Sequence, residues 1–405
     1  MKYTDELKKL VLFDADGTLL MKVAEGLDDE DKLPKALSAL INEAYKNGWQ
    51  GNLWHTLLLH SLVMSENPFS LSCERKRAKK SSLWDIALSD MDCVMKLWDA
   101  GCGSRLWSSV TDFTQPNAQS APELEILTDS FERANGDCEQ ALRSLASYYE
   151  SSGCGIYGSN DSFRIEDGRI VPNVRTERPV FSDLIGYEEQ KARLRENTEN
   201  FIARKGSNNV LLYGDAGTGK STSIQALLSE YSKDGLRIIE VYKHQFELIP
   251  GIMAKLACRN YSFILLLDDL SFEESETEYK YLKAVMEGGS AVHPENVRIY
   301  ATSNRRHLIR ENYSDRSDME HDGDIHRSET MEEKLSLAMR FGLQIFYPAP
   351  TFKEYQGIVE SLAKRAGLGE ASAELFRASS EWQIAHGSKS GRTAKQFVDS
   401  LKTDD

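Results

Sequence analysis

Long apolar runs are missing from this 405-residue chain. No stretch approaches the roughly 20 consecutive apolar residues of a membrane-crossing helix. The apolar run in the opening MKYTDELKKLVLF is too short for a secretory signal and is flanked by acids as well as bases, so a cytoplasmic location is expected, with no membrane contact. Cysteine is sparse: Cys73, Cys93, Cys102, Cys138, Cys154 and Cys258 show neither the close pairing of a zinc site nor the density of a disulfide scaffold. Reduced thiols are the simpler expectation. An excess of positive charge is absent too. With 49 Lys plus Arg against 63 Asp plus Glu, the net charge of −14 excludes a surface built mainly to coat nucleic acid. The cluster Arg75, Lys76, Arg77, Lys79 and Lys80 is the best candidate for local nucleic-acid contact, although such a run is more often simply solvated. Internal repeats are also missing.

What is present is the balance of a globular protein, 40% hydrophobic and 28% charged, in a chain long enough for two or three domains. From about Leu33 to Tyr149 apolar residues recur at helical spacing, as in Leu33, Leu37, Leu40 and Ile41, and tryptophans 54, 84, 98 and 107 are expected to fill that region's core. FRIEDGRIV, from Phe163 to Val171, alternates around Asp167-Gly168 and predicts a small hairpin. After Pro179 the pattern changes. A helix over Glu188–Arg204 is followed by the strand NVLLYG, the helix STSIQALLSEY, the strands LRIIEVY and FILLLDD, the helix YKYLKAVM, and the strands VRIYATSN and LQIFYP. Short, almost wholly apolar strands between helices imply an α/β fold with a parallel sheet covered on both faces. Beyond Pro350 only helices are expected. The domains predicted are therefore 1–178, mainly helical with the hairpin near 163–171; 179–348, the α/β core; and 349–405, a helical lid. The polar, acidic run 310–329 is expected to be a loop, and its His321, Asp322, Asp324 and His326 have metal-capable side chains in a solvated setting.

The strongest motif is Gly214-Asp215-Ala216-Gly217-Thr218-Gly219-Lys220-Ser221, a full phosphate-loop pattern between a strand and a helix that runs on through Thr222. Its glycines let the backbone curl so that N–H groups point at phosphates, and the helix N-terminus adds about half a positive charge. Lys220 is then expected to contact the β and γ phosphates, and the Ser221 hydroxyl to bind Mg²⁺. FILLLDD ends in two carboxylates. Asp268 is expected to hold the magnesium and Asp269 to orient the attacking water, with Glu273 or Glu274 as alternatives for the second role. VRIYATSN delivers Asn304 to the same crevice, where strand ends converge. Arg340, just before LQIFYP, suits a finger inserted into a neighbouring subunit's site, and Arg392, in GRTAKQF, can reach the γ-phosphate of its own subunit.

Taken in order, from about Phe181 onward, these elements resemble the AAA+ superfamily. In its terms GDAGTGKS looks like Walker A, FILLLDD like Walker B, Asn304 like sensor 1, Arg340 like the arginine finger and Arg392 like sensor 2. FSDLIGYEEQ resembles the segment lining the adenine pocket, which implies that Ile185 and Gly186 contact the base. More narrowly, LIGYEEQKARLRENTENFI, DDLSFEE, YATSNRRHLI and SGRTAKQFVD resemble the uncharacterised bacterial ATPase family known as domain of unknown function 815, which joins a helical N-terminal region to an AAA+ module. Two departures stand out. Asp268-Asp269 replaces the Asp-Glu of many AAA+ proteins, as in helicase-loader-like members, which implies slow hydrolysis; and Met339 precedes the finger where related sequences tend to have Asp.

A competing motif lies near the start. VLFDADGTLL, Val11–Leu20, matches the first motif of haloacid-dehalogenase-like phosphatases, with Asp14 as nucleophile and Asp16 as acid/base. The later strands and residues such an enzyme needs do not follow before Val180. The function expected is thus Mg²⁺-dependent ATP binding and hydrolysis by a homo-oligomer with Arg340 acting in trans, the helical N-terminal region engaging an unidentified protein partner. The alternatives are a nucleotide-gated binding switch with negligible turnover and, less favoured, the phosphatase.

Overall fold

The computed structural model describes residues 2–76, 81–101, 104–116, 118, 122–173, 178–272, 278–287, 294–304, 337–368 and 372–401. Arg77, Lys79, Lys80, Cys102, Glu273, Glu274 and the 310–329 run with its histidines and aspartates lie outside them. The chain forms two compact units, Met1–Asn160 and Asp161–Asp405.

The first unit is helical: α1 (Tyr3–Leu7), α2 (Leu19–Asp28), α3 (Leu33–Asn47), α4 (Leu53–Met64), α5 (Pro68–Glu74), α6 (Ser82–Trp98), α7 (Arg105–Thr111), α8 (Pro122–Ala134), α9 (Cys138–Ser151) and α10 (Ile156–Ser159). Helix α4, LWHTLLLHSLVM, is apolar on nearly every side and is accordingly central, burying Leu53, Trp54, Leu57, Leu58, Leu59, Leu62 and Val63. It starts where Asn52 accepts the amides of Trp54 and His55, and α5 starts at an Asn67/Ser70 capping box with Pro68 in the first turn. Gly48, at φ 69°, ends α3 in the left-handed conformation that a side chain disfavours. The tryptophans are core residues as expected: 54, 98 and 107 are buried, and 84 is partly so. The two most enclosed polar hooks reach main-chain oxygens, Trp54 Nε1 donating to Leu97 O at 2.7 Å and Tyr149 Oη to Leu62 O at 2.6 Å.

The phosphatase-like segment is not a strand here. Residues 11–17 form bends and a turn that leads to Thr18, the N-cap of α2. The peptide is tied down by Asp90 on α6, whose buried carboxylate accepts the N–H groups of Val11, Leu12 and Phe13 at 2.7–3.3 Å. Among the described residues every named strand lies beyond Asn160, so Asp14 and Asp16 do not sit at a sheet edge as that chemistry requires.

The second unit is built on one seven-stranded sheet in the order β2-β1-β4-β5-β6-β3-β7. Its strands are β1 (Ser162–Glu166), β2 (Arg169–Pro172), β3 (Val210–Gly214), β4 (Leu236–Glu240), β5 (Ser262–Leu267), β6 (Val297–Ser303) and β7 (Leu343–Tyr347). All neighbours are parallel except the β1–β2 hairpin, whose turn places Asp167 and Gly168 at φ 46° and 71°, the primed two-residue geometry. That hairpin, grouped by sequence with the N-terminal region, pairs with β4 (Phe163 opposite Ile239) and so extends the core sheet. Helices α11 (Glu188–Ile202), α12 (Lys220–Tyr231), α13 (Ile249–Leu256) and α14 (Glu278–Met286) connect the strands. Helix α13 went unread in the sequence between LRIIEVY and FILLLDD, although a parallel β4–β5 pair demands a crossover. Strand β5 is buried along its whole length, which is why SFILLL has no alternation. A three-helix lid closes the unit, α15 (Phe352–Arg365), α16 (Ala373–His386) and α17 (Gly391–Leu401), with its own core around Tyr355, Val359, Ala394 and Phe397. Among the described residues no helix is long and apolar enough to cross a membrane.

Removing the Asp90 carboxylate leaves three main-chain donors without their acceptor. Asp90→Ala is expected to destabilise the helical unit by about 3 kcal/mol and Asp90→Asn by less, measured by urea unfolding followed through tryptophan fluorescence.

Candidate functional site

The site grows from the end of β3. Gly214 has φ 135°, and a Cβ there would lie 2.1 Å from the Tyr347 carbonyl oxygen of the adjacent β7, so only glycine fits. The chain then curls through Gly217 (φ 75°) and Gly219 (φ 90°) into α12, whose N-terminus carries no side-chain cap. An uncapped helix start behind a glycine loop is the environment an anion recognises. Lys220 is the first residue of α12 and is buried, 6% exposed. Its Nζ donates to Gly214 O (2.9 Å), Asp215 O (2.6 Å) and Asn304 Oδ1 (3.0 Å). Burial pulls the ammonium below the usual lysine range, while Asp215, Asp269 and Asp268 pull the other way.

Two adjacent strands supply the facing oxygens. Asp268 and Asp269 follow β5, Thr302 is in β6, and Asn304 follows β6 directly. Asp268 Oδ1 accepts from Ser221 Oγ and from Thr302 Oγ1, the latter at 2.6 Å. Thr302 Oγ1 also accepts the Asp269 amide at 2.9 Å, fixing the strand end where Asp269 turns to φ 52°. Asn304 joins the two halves: its oxygen takes Lys220, and its Nδ2 donates to Asp269 Oδ1 at 2.8 Å. The set of two hydroxyls and a carboxylate is all hard oxygen, the chemistry that suits Mg²⁺ and not a soft metal.

These residues border a cleft of about 870 Å³ between the phosphate loop and the lid, within the range of small-molecule sites. Of the residues singled out from sequence, Ala216 through Thr222, Asp268, Asp269, Asn304, Arg392 and Ile185 line it together. Gly214 and Asp215 lie behind the loop. The Asp215 carboxylate accepts the Ala349 amide at 2.8 Å and its own amide donates to Tyr347 O at 3.1 Å, tying the loop to the segment that enters the lid. The lid also meets the loop directly, with Arg392 N 3.4 Å from Gly217 O and a Cβ on Gly217 within 2.7 Å of Ser390 Oγ. Gly186 forms the turn at φ 82° and is not part of the lining. Arg340 stands outside the cleft, paired with Glu287 at 2.7 Å.

Sequence reasoning missed several lining groups. Thr302 was visible only as a strand-end residue; its value follows from the register that sets it beside Leu212 of β3. Leu184, Tyr187, Ile358 and Leu362 give the cleft an apolar wall, and Arg178, Arg365 and Lys395 give it cations. Arg365 is anchored to Asp183 Oδ1 at 3.1 Å and to the Ser182 carbonyl. Tyr187 stacks on Tyr347 at 5.1 Å, donates to Pro348 O at 2.8 Å, and has its hydroxyl pushed up to about 12 by burial. Helical periodicity had no means of pairing such distant residues.

With this geometry in view, residues 159–405 match the family described as Protein of unknown function (DUF815). The chain belongs to the DUF815 family. No curated protein matches it in sequence. Solved structures similar to it include the Thermotoga maritima RuvB Holliday junction branch migration motor, 18% identical over 56% of this chain and 65% of that one with a TM-score of 0.38. A DNA replication initiation factor is 16% identical over 57% and 65%, TM-score 0.37, and the FIGL-1 AAA domain in complex with ADP is 16% identical over 48% and 63%, TM-score 0.33. This DUF815 chain thus spans 65% of the length of the RuvB motor it matches. Its architecture is an α/β core on a mostly parallel seven-stranded sheet, with a glycine-rich phosphate-loop pattern between β3 and α12 and helical regions beside it.

A buried ammonium held only by neutral oxygens contributes little to stability, because desolvation offsets its hydrogen bonds. The DUF815 variant Lys220→Met is therefore expected to unfold within about 1 kcal/mol of the parent or above it, by urea titration, whatever it does to ligand binding.

Proposed function

We propose that the second unit binds ATP with Mg²⁺ and hydrolyses it to ADP and phosphate. The observation that carries this is the Ser221–Asp268–Thr302 oxygen cluster beside buried Lys220, both facing an uncapped helix N-terminus. In this reading the amides of Gly214 to Thr222 and the Lys220 ammonium hold the phosphates, while Ser221 and Asp268 hold the metal. Magnesium supplies charge neutralisation on the phosphate oxygens. Asp269 orients the water that adds to the γ-phosphorus as the bond to the bridging oxygen breaks. Asn304 and Arg392 contact the γ-phosphate, and Ile185, with Gly186 shaping the turn, lies against the base. Arg340, outside its own cleft, serves the site of a neighbouring copy, so the active form is a homo-oligomer. Hydrolysis changes the lid's angle to the core and acts on a protein partner bound by the helical unit, in the cytoplasm.

One observation favours the second reading, a nucleotide-gated switch with negligible turnover: the Asp269 carboxylate is engaged by the Asn304 amide instead of facing the cleft unbound. Steady-state phosphate release separates the two. A hydrolase shows Mg²⁺-dependent release that rises with protein concentration. Arg340→Ala should then cut the rate by about 10³-fold, and Asp269→Asn should abolish it with ATP binding intact. Equal background rates for the parent and Asp269→Asn, both still binding ATP, select the switch. No Mg²⁺-dependent binding by a folded protein sinks both.

A further inference from the structure

Within the helical unit a cavity of about 490 Å³ opens beside α4, large enough for a small organic molecule. Its floor is apolar: Leu57, Leu58, Val94 and Leu97 are each at most 3% exposed. Its rim is polar and acidic, with Asp14 exposed and Glu43, His60 and Ser61 half-buried, and among the described residues no lysine or arginine lines it. A close-packed helical core ordinarily fills such a space with its own side chains. Here the space stands open.

The rim is preorganised. Asp14 belongs to the DADGT turn, whose preceding peptide is fixed by the three amides on Asp90 and whose Asp16 amide donates to Asp14 Oδ1 at 2.9 Å, leaving Oδ2 open. Glu43 accepts Asn47 Nδ2 at 2.9 Å and has Lys46, itself outside the lining, 3.9 Å from its second oxygen. His60 leans on Trp49 with centroids 4.9 Å apart and has no hydrogen bond among the described residues. Burial holds it below the ordinary histidine range against the pull of Glu43, so near neutrality it is an uncharged acceptor. Asp14, Glu43 and His60 each bring an acceptor to this rim, and two of the three are carboxylates.

We propose that this cavity binds an amphiphilic organic cation, its apolar body on the Leu57–Leu97 floor and its ammonium donating to Asp14, Glu43 and His60. The ligand matches the site by charge and by shape: an anion meets two carboxylates, and a cation without an apolar body leaves the floor unfilled. This makes use of the aspartate motif that the phosphatase reading left without a role, and it stands independently of ATP binding by the other unit.

The test is calorimetric titration of the full-length chain with octylammonium, with octanoate and octanol as controls of the same length. Saturable binding of octylammonium at one site per chain is expected, with octanoate at least tenfold weaker. The double variant Asp14→Asn, Glu43→Gln should bind octylammonium about fivefold more weakly, the scale of two partly exposed ion pairs, with octanol affinity unchanged. Ser61→Phe, which fills the mouth, should lose both ligands while unfolding at the parent's urea midpoint. The proposal is overturned if folded protein gives no saturable octylammonium binding, if octanoate binds as tightly, or if neither the double variant nor Ser61→Phe alters affinity.

Discussion

The candidate site of the second unit converges on a single buried lysine. Lys220 is held by two carbonyl oxygens and the amide of Asn304, with three aspartates near enough to act on its charge. An ammonium so enclosed is costly to keep in place unless its surroundings are rigid. Rigidity comes from the strand order. Because β3 lies between β6 and β7, the loop after β3 faces the ends of both neighbours, and β5 adds its carboxylates one strand further on. The positive φ of Asp269 and the steric demand at Gly214 are local strains of the kind that cluster at functional sites.

The same arrangement gives Asn304 a pivotal place. Among the described residues it is the one side chain that bonds both Lys220 and Asp269, so whatever draws the ammonium away also alters the hold on the carboxylate. On the opposite side of the loop, the Asp215 carboxylate and the Gly217 carbonyl bind the backbone at the entry to the lid and at the start of its last helix. The loop is thus joined to the lid directly by hydrogen bonds. The helical unit is a separate case: its core gathers around α4, and its cavity is lined by its own residues.

Much of this was legible in the chain. Strands such as SFILLL announce burial on both faces because they lack alternation, and the phosphate loop announces itself because its glycines answer steric demands that no other residue meets. Asp268, Asp269 and Asn304 could be singled out because they follow such strands, and they border one cleft. What could not be read was tertiary register. Thr302 gains its role only through the hydroxyl's distance to Asp268, Asp215 only through a linker 134 residues away, and the wall of Leu184, Ile358 and Leu362 only through the closing of the lid. The Asp14 segment shows the opposite: its local pattern is good, but it packs among helices, where a buried carboxylate on α6 takes its amides and, among the described residues, no strand of its unit stands behind it.

The central claim is that the amides and ammonium around Lys220 form a receptor for a metal-bound triphosphate. Isothermal titration of the full-length chain with ATP, in the presence and absence of Mg²⁺, tests it most directly. The account predicts saturable heat at one site per chain, strengthened by the metal and lost in Lys220→Met. An absence of heat from protein whose fold is verified by its unfolding transition would contradict it.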